Sequence, residues 1–219
     1  MERRVGFVGC YSHDVILLLA KVLSCMEKRV LLTDRNRCHT LRASIPVPEG
    51  INAEKDKVEY DGIFYGEKES TPEERERFDA ELIDFGMEID REGALGCTEL
   101  IVVTDMLLHH LRNLAKAEIP GERVRVCMIR DAIVSSGRKE KAMREFLQSF
   151  PNRTELFLPP DVRDMKNRYV CETMYEYSMR RASPEMQDAI LQIAAILCPV
   201  YGEREIRQKL RTWERRRYR

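Results

Sequence analysis

The loop formed by Gly9, Cys10, Tyr11, Ser12, His13 and Asp14 joins an apolar run to a helical stretch, and it holds a thiol, a hydroxyl, an imidazole and a carboxylate within six positions. A loop in that place can hold an anion, because the first N–H groups of the helix it opens lack intrahelical partners and carry partial positive charge. Gripping a polyphosphate asks for more: glycines that let the backbone wrap the phosphates, a lysine that reaches them, and a hydroxyl for Mg²⁺. Gly9 is the single glycine here, Ser12 supplies a hydroxyl, and no lysine precedes Lys21. Asp14 sets a negative charge where an anion would sit. The bland reading is a strand-to-helix turn with Ser12 or Asp14 as cap, and the chemical reading is weak phosphate binding by Gly9, Cys10, Tyr11, Ser12 and His13. A nucleophilic Cys10/His13 pair rests on a lone histidine outside any recognisable nucleophile-plus-acid pattern and is set aside, so no catalytic residue is assigned.

What positions this loop is a regular alternation of elements. Residues 5–8 read as a strand, residues 14–26 as a helix with Val15, Leu18, Leu19 and Val22 at helical spacing, and residues 30–33 as a strand apolar on both faces. That is a βαβ unit, whose strands run parallel. Further strands are expected at 80–84, 100–103, 124–129 and 155–158, and helices at 106–117, 138–148, 184–197 and 203–213. Residues 58–60 and 63–65 flank Asp61 and Gly62, a hairpin signal. The expected fold is α/β: three α/β/α layers around a mainly parallel sheet, in one domain over residues 1–200, with a small hairpin insertion near 46–71 and a basic C-terminal helix at 201–219. In such sheets ligands bind at the carboxyl ends of the strands, which is where the first loop stands.

Composition narrows the function classes. The 37 basic and 37 acidic side chains of the 219 residues cancel, which argues against coating nucleic acid by bulk charge. Tyr169, Tyr175 and Tyr177 lie among arginines, yet their helical spacing reads as packing, so nucleic acid is not an expected partner. The cancellation is uneven: residues 49–92 hold sixteen acidic and six basic side chains, and residues 203–219 hold eight basic and three acidic. Seven cysteines stand singly and in odd number, which suggests neither a disulfide framework nor a paired-cysteine zinc site. In the helical pair His109 and His110 the side chains point about 100° apart, so one is expected to pack and the other to be solvated. Without a long apolar segment or a signal-peptide pattern, the expected location is cytoplasmic.

The order of landmarks resembles the deviant Walker-type ATPases of the MinD/ParA group, and most of all their CpaE/TadZ-like branch, which is tied to Flp/Tad pilus assembly. Residues 28–34, Lys-Arg-Val-Leu-Leu-Thr-Asp, are similar to the family's second strand and its closing aspartate. Residues 78–86 resemble the stretch with the Walker B-type aspartate and the following switch glycine, here Asp84 and Gly86. Residues 98–105 with 111–113, and the Leu-Pro-Pro-Asp of residues 158–161, resemble two later segments, the last of which lies near the base in relatives. The resemblance implies a nucleotide site that includes Asp34, Asp84, Gly86, Pro160 and Asp161, a metal on Asp34 and Asp84 when nucleotide is present, ATP or ADP with Mg²⁺ as cofactor, and a homodimer. The family's loop lysines are absent, and Arg130-Asp131 replaces the pair that relatives use for adenine. The expectation is a pseudo-ATPase that acts as a scaffold or localisation factor beside a secretion or pilus motor; the alternative is a nucleotide-dependent switch or weak ATPase.

The C-terminal segment adds one more expectation. Ile206, Leu210 and Trp213 share a helical face, and Arg207 and Arg211 lie among further arginines around it. Such a helix either docks on its own domain or, as in some relatives, touches the inner membrane face or a protein partner.

Overall fold

A computed structural model describes residues 3–51, 57–68, 70–89, 91–133 and 138–217. Residues 52–56 and 69 of the expected insertion, and the last two residues of the basic segment, lie outside them. Eight strands form one sheet: β1 (Arg3–Gly9), β2 (Val30–Asp34), β3 (Val58–Tyr60), β4 (Ile63–Gly66), β5 (Ala80–Asp84), β6 (Glu99–Thr104), β7 (Val124–Ile129) and β8 (Thr154–Phe157). Their spatial order is β3-β4-β2-β5-β1-β6-β7-β8, and every neighbouring pair is parallel except β3 with β4. Side chains alternate across the sheet at period two, so Phe7, Leu82, Ile101 and Val103 enter one apolar core while Val8, Ile83, Leu100 and Val102 enter the other. The expected three layers follow, because each face must be covered.

One face carries α1 (His13–Cys25), α7 (Val162–Met174), α8 (Pro184–Leu197) and α9 (Glu203–Arg217); the other carries α4 (Arg91–Gly96), α5 (Leu108–Lys116) and α6 (Arg138–Gln148). Helix α1 is buried at every position except Ser24, as expected of a helix apolar nearly all round. Short helices α2 (Thr40–Ala43) and α3 (Pro72–Arg75) complete the set. The second of them has a reciprocal cap in which Thr71 and Glu74 satisfy each other's backbone N–H groups.

Strands β1 and β2 are parallel as expected, and β5 lies between them and pairs with both. Of the alternatives for the C-terminal helix, the structure has docking on its own domain, so its apolar face is not offered to a membrane or a partner. Ile206 and Leu210 are buried in the core shared with α1 and α8, and Trp213 packs against that core with its ring 4.0 Å from the Lys21 ammonium. An apolar stripe with its own domain beside it buries itself there. Arg211 stays exposed, and Arg207 pairs with Asp188 at 2.6 Å. No helix among the described residues is long and apolar enough to cross a membrane.

Candidate functional site at the carboxyl ends of the strands

The first loop leaves β1 through Gly9, whose φ of +132° suits glycine alone. A β-carbon there would lie 1.7 Å from the Val103 carbonyl oxygen. The Gly9 N–H donates to the Gly86 carbonyl at 2.6 Å and the Cys10 N–H to the Val103 carbonyl at 3.0 Å, so the loop is clasped between the ends of β5 and β6. Ser12 occupies the N-cap position of α1, yet its hydroxyl donates to Asp84 Oδ1 at 2.9 Å and makes no side-chain cap.

Asp34 and Asp84 are register partners on β2 and β5, so the structure brings the two expected carboxylates together. Asp84 is fully buried and accepts from Ser12, the Gly86 N–H, Asn36 Nδ2 and Thr40 Oγ1. Asp34 accepts one backbone N–H on each oxygen, from Asn36 and Arg42, both at 2.9 Å. Burial, with Asp84 beside it, pushes the Asp34 carboxyl up to about 6. Gly86, at φ +59°, lies against Asn36 and shares this cluster.

Asp14 does not repel an incoming charge as expected, because it is already neutralised. Arg130, at the end of β7, lays both terminal nitrogens on its carboxylate at 2.5 and 2.8 Å, and also donates to the Tyr11 carbonyl at 2.6 Å. Both side chains are buried. Burial alone would raise the Asp14 carboxyl, but the charge and hydrogen bonds of Arg130 outweigh it and hold the group below the usual carboxylate range. Arg168 stands behind the pair, 3.9 Å from Asp14 and 4.9 Å from the Tyr11 ring centroid. Lys21, the first lysine of the chain, is engaged elsewhere: it pairs with Asp61 in the turn of the β3–β4 hairpin.

Beside this filled half of the edge lies an open one. A cavity of about 760 Å³ is lined by Tyr11, His13, Asp105, Asp131, Pro160 and Arg168, among others. Pro160 therefore does line a cleft, whereas Asp161 serves as the N-cap of α7 and pairs with Arg163. His13 is buried, with Nε2 3.2 Å from a Glu172 carboxylate oxygen and no well-aligned hydrogen bond at either ring nitrogen among the described residues. Tyr169 also lines the cavity, while Tyr177 is buried in the core.

Cys10 is partnered by His110 and not by His13. Its Sγ lies 3.6 Å from His110 Nδ1, and Asp105 Oδ1 lies 2.9 Å from the same nitrogen. Thiol and carboxylate thus share one imidazole nitrogen, which is not the relay of a nucleophilic triad, where they take opposite ones. Burial and then the Asp105 charge push the Cys10 thiol up to about 11, away from a nucleophilic thiolate. His109 stays exposed, with its ring centroid 4.1 Å from that of His110. Sequence reasoning missed Asp105, His110, Arg130, Asn36 and Thr40 as members of the site. For Asp105 a signal existed: it comes two residues after the strand expected at 100–103, at the same sheet edge as Cys10.

The residues at this edge do not fit a magnesium polyphosphate as they stand. Every oxygen of Asp34 and Asp84 already accepts a protein donor, and the guanidinium nearest the helix opening is spent on Asp14.

No protein-family model matches the chain, and no curated protein sequence matches it. Solved structures do. A plasmid partition protein of Borrelia burgdorferi bound to AMPPNP superposes with a TM-score of 0.58 at 11% identity, over 92% of this chain and 100% of that one. The MinC:MinD cell division complex of Aquifex aeolicus gives 0.58 at 11% identity, over 90% and 96%. Apo McdA of Cyanthece gives 0.61 at 8% identity, over 96% and 100%. The protein therefore has a MinD/ParA-like α/β fold, at sequence identities that speak for fold alone.

Proposed function

We propose that the protein is a non-catalytic relative of the MinD/ParA ATPases, a pseudo-ATPase that works as a scaffold or localisation factor. The observation that carries this reading is the buried Asp14–Arg130 pair at the opening of α1. Phosphoryl transfer needs cations free to meet charge that develops on the transferred group. Here the nearest cation is bound to the chain's own carboxylate, and the loop carries no lysine. The resemblance to the CpaE/TadZ-like branch supports a cytoplasmic homodimer beside a secretion or pilus motor, with Arg207 and Arg211 on the outer side of α9 as contacts for that motor or for the inner membrane face.

One observation favours the alternative, a nucleotide-dependent switch. Ser12 holds its hydroxyl on Asp84, and the cavity of about 760 Å³ lies beside the loop, on the Pro160 side where relatives seat a base. That reading requires Arg130 to leave Asp14. Calorimetric titration of the full chain with ATP and ADP in the presence of Mg²⁺ separates the two: no heat of binding is expected, and micromolar affinity for either nucleotide defeats the scaffold reading.

A further inference from the structure

We propose that Cys10, Asp105 and His110 form a zinc site with one open coordination position. The three come from two neighbouring strand ends and one helix: Cys10 follows β1, Asp105 follows β6, and His110 lies in the first turn of α5. Their donor atoms all fall within 4.8 Å of one another, with Sγ to Nδ1 at 3.6 Å and Nδ1 to Oδ1 at 2.9 Å. Zn²⁺ bonds of about 2.0–2.3 Å in tetrahedral geometry put ligand atoms about 3.4 Å apart. The thiol and imidazole already stand at that spacing, and the carboxylate oxygen, 2.9 Å from Nδ1, reaches it relative to the imidazole by moving out about half an ångström.

The chemistry of the donors selects the ion. One thiolate, one imidazole and one carboxylate suit Zn²⁺, whereas Mg²⁺ and Ca²⁺ demand oxygen shells. On binding, the Cys10 S–H proton leaves to solvent as the zinc–sulfur bond forms. Thiolate and carboxylate then cancel the ion's two charges, so a neutral unit occupies this half-buried place and the desolvation cost is limited. Outer contacts hold the ligands in place: the Leu107 N–H donates to Asp105 Oδ1 at 2.8 Å, the Cys10 backbone is tied to Val103, and the Tyr11 ring packs edge-on against His110. Asp105 is at the same time a wall of the 760 Å³ cavity. The fourth position is left to water or to a donor atom of a small ligand in that cavity, an arrangement three protein ligands allow and a closed structural site does not. This site is independent of whether the neighbouring half of the edge binds nucleotide.

Equilibrium dialysis of the full chain against Zn²⁺ with excess Mg²⁺ present tests the proposal. One zinc per chain is expected, with about one proton released. Substitution with Co²⁺ should give a thiolate-to-metal charge-transfer band. Cys10→Ser and His110→Ala should each weaken binding more than about tenfold, the scale set by loss of even outer-shell partners. Asp105→Asn keeps an acceptor for the Leu107 N–H, so its melting should be unchanged while its zinc affinity falls. Cys38→Ser, which removes the exposed cysteine, should leave binding intact. A chain that takes up no zinc, a cobalt spectrum without the thiolate band, or binding that survives Cys10→Ser would overturn the site and leave the cluster as a hydrogen-bonded cap of α5.

Discussion

Two halves of one sheet edge have diverged in what they hold. Around the opening of α1, where a phosphate would lie, side chains of the protein satisfy one another: Ser12 on Asp84, Arg130 on Asp14, backbone N–H groups on Asp34. A few ångströms along the same edge, past Tyr11, the chain leaves a cavity bounded by Pro160, Met165 and Arg168. One stretch of a sheet edge can thus be satisfied internally while the stretch beside it keeps a cleft. In the filled half a single arginine just past β7 neutralises Asp14. The open half is lined by charged as well as apolar side chains, with Arg168 3.9 Å from Asp131, and they border the space without closing it.

Substitutions that hit the two halves should differ in size. Arg130→Ala leaves the buried Asp14 with Arg168, 3.9 Å away, as its remaining ion-pair partner, and should cost about 3–5 kcal/mol of stability in denaturant unfolding. Replacing both members by apolar residues of similar volume, Asp14→Leu with Arg130→Met, should recover most of that loss; if the double variant is as unstable as Arg130→Ala, the pair is not the unit described here. A smaller effect belongs to Asp34. Its folded carboxyl titrates near 6, above the ordinary value, so the native state holds that proton more tightly than the unfolded chain does. Stability from this group is therefore present at low pH and declines as pH rises through about 4 to 6, by up to about 3 kcal/mol. Asp34→Asn should remove that slope, and parallel pH curves for the variant and the wild type would refute the assignment. On the open side Met165→Ala should change stability by no more than about 0.5 kcal/mol, because Met165 is exposed at the cavity wall.

The strands and long helices were legible in the sequence because each has a strong local pattern. Helix α8 is one case: residues 184–197 were expected, and the structure has Pro184–Leu197 with Ser183 as its cap and Pro184 at its first position. The hairpin was legible from Asp61 and Gly62, both of which adopt positive φ. Short helices such as α3 escaped, although Thr71, Pro72 and Glu74 spelled out its cap. Strand order was not legible from composition and periodicity, since a run of buried apolar residues does not say which strand lies beside it. The same limit hid the site. Asp34 and Asp84 could be placed at neighbouring strand ends only through the family resemblance. Arg130 lies 116 residues from Asp14, and His110 lies 100 from Cys10. Pairings of that length depend on the topology of the sheet.

The burial of α9 against α1 also bears on how the chain is made. Helix α1 leaves the ribosome before α8 and α9, the two helices that close its outer surface. Until residues 184–217 are made, this apolar helix waits without its cover, exposed to chaperones or to aggregation, and folding must close a contact of long sequence separation. The arginine-rich helix α9 then acts as the clasp that ends this wait.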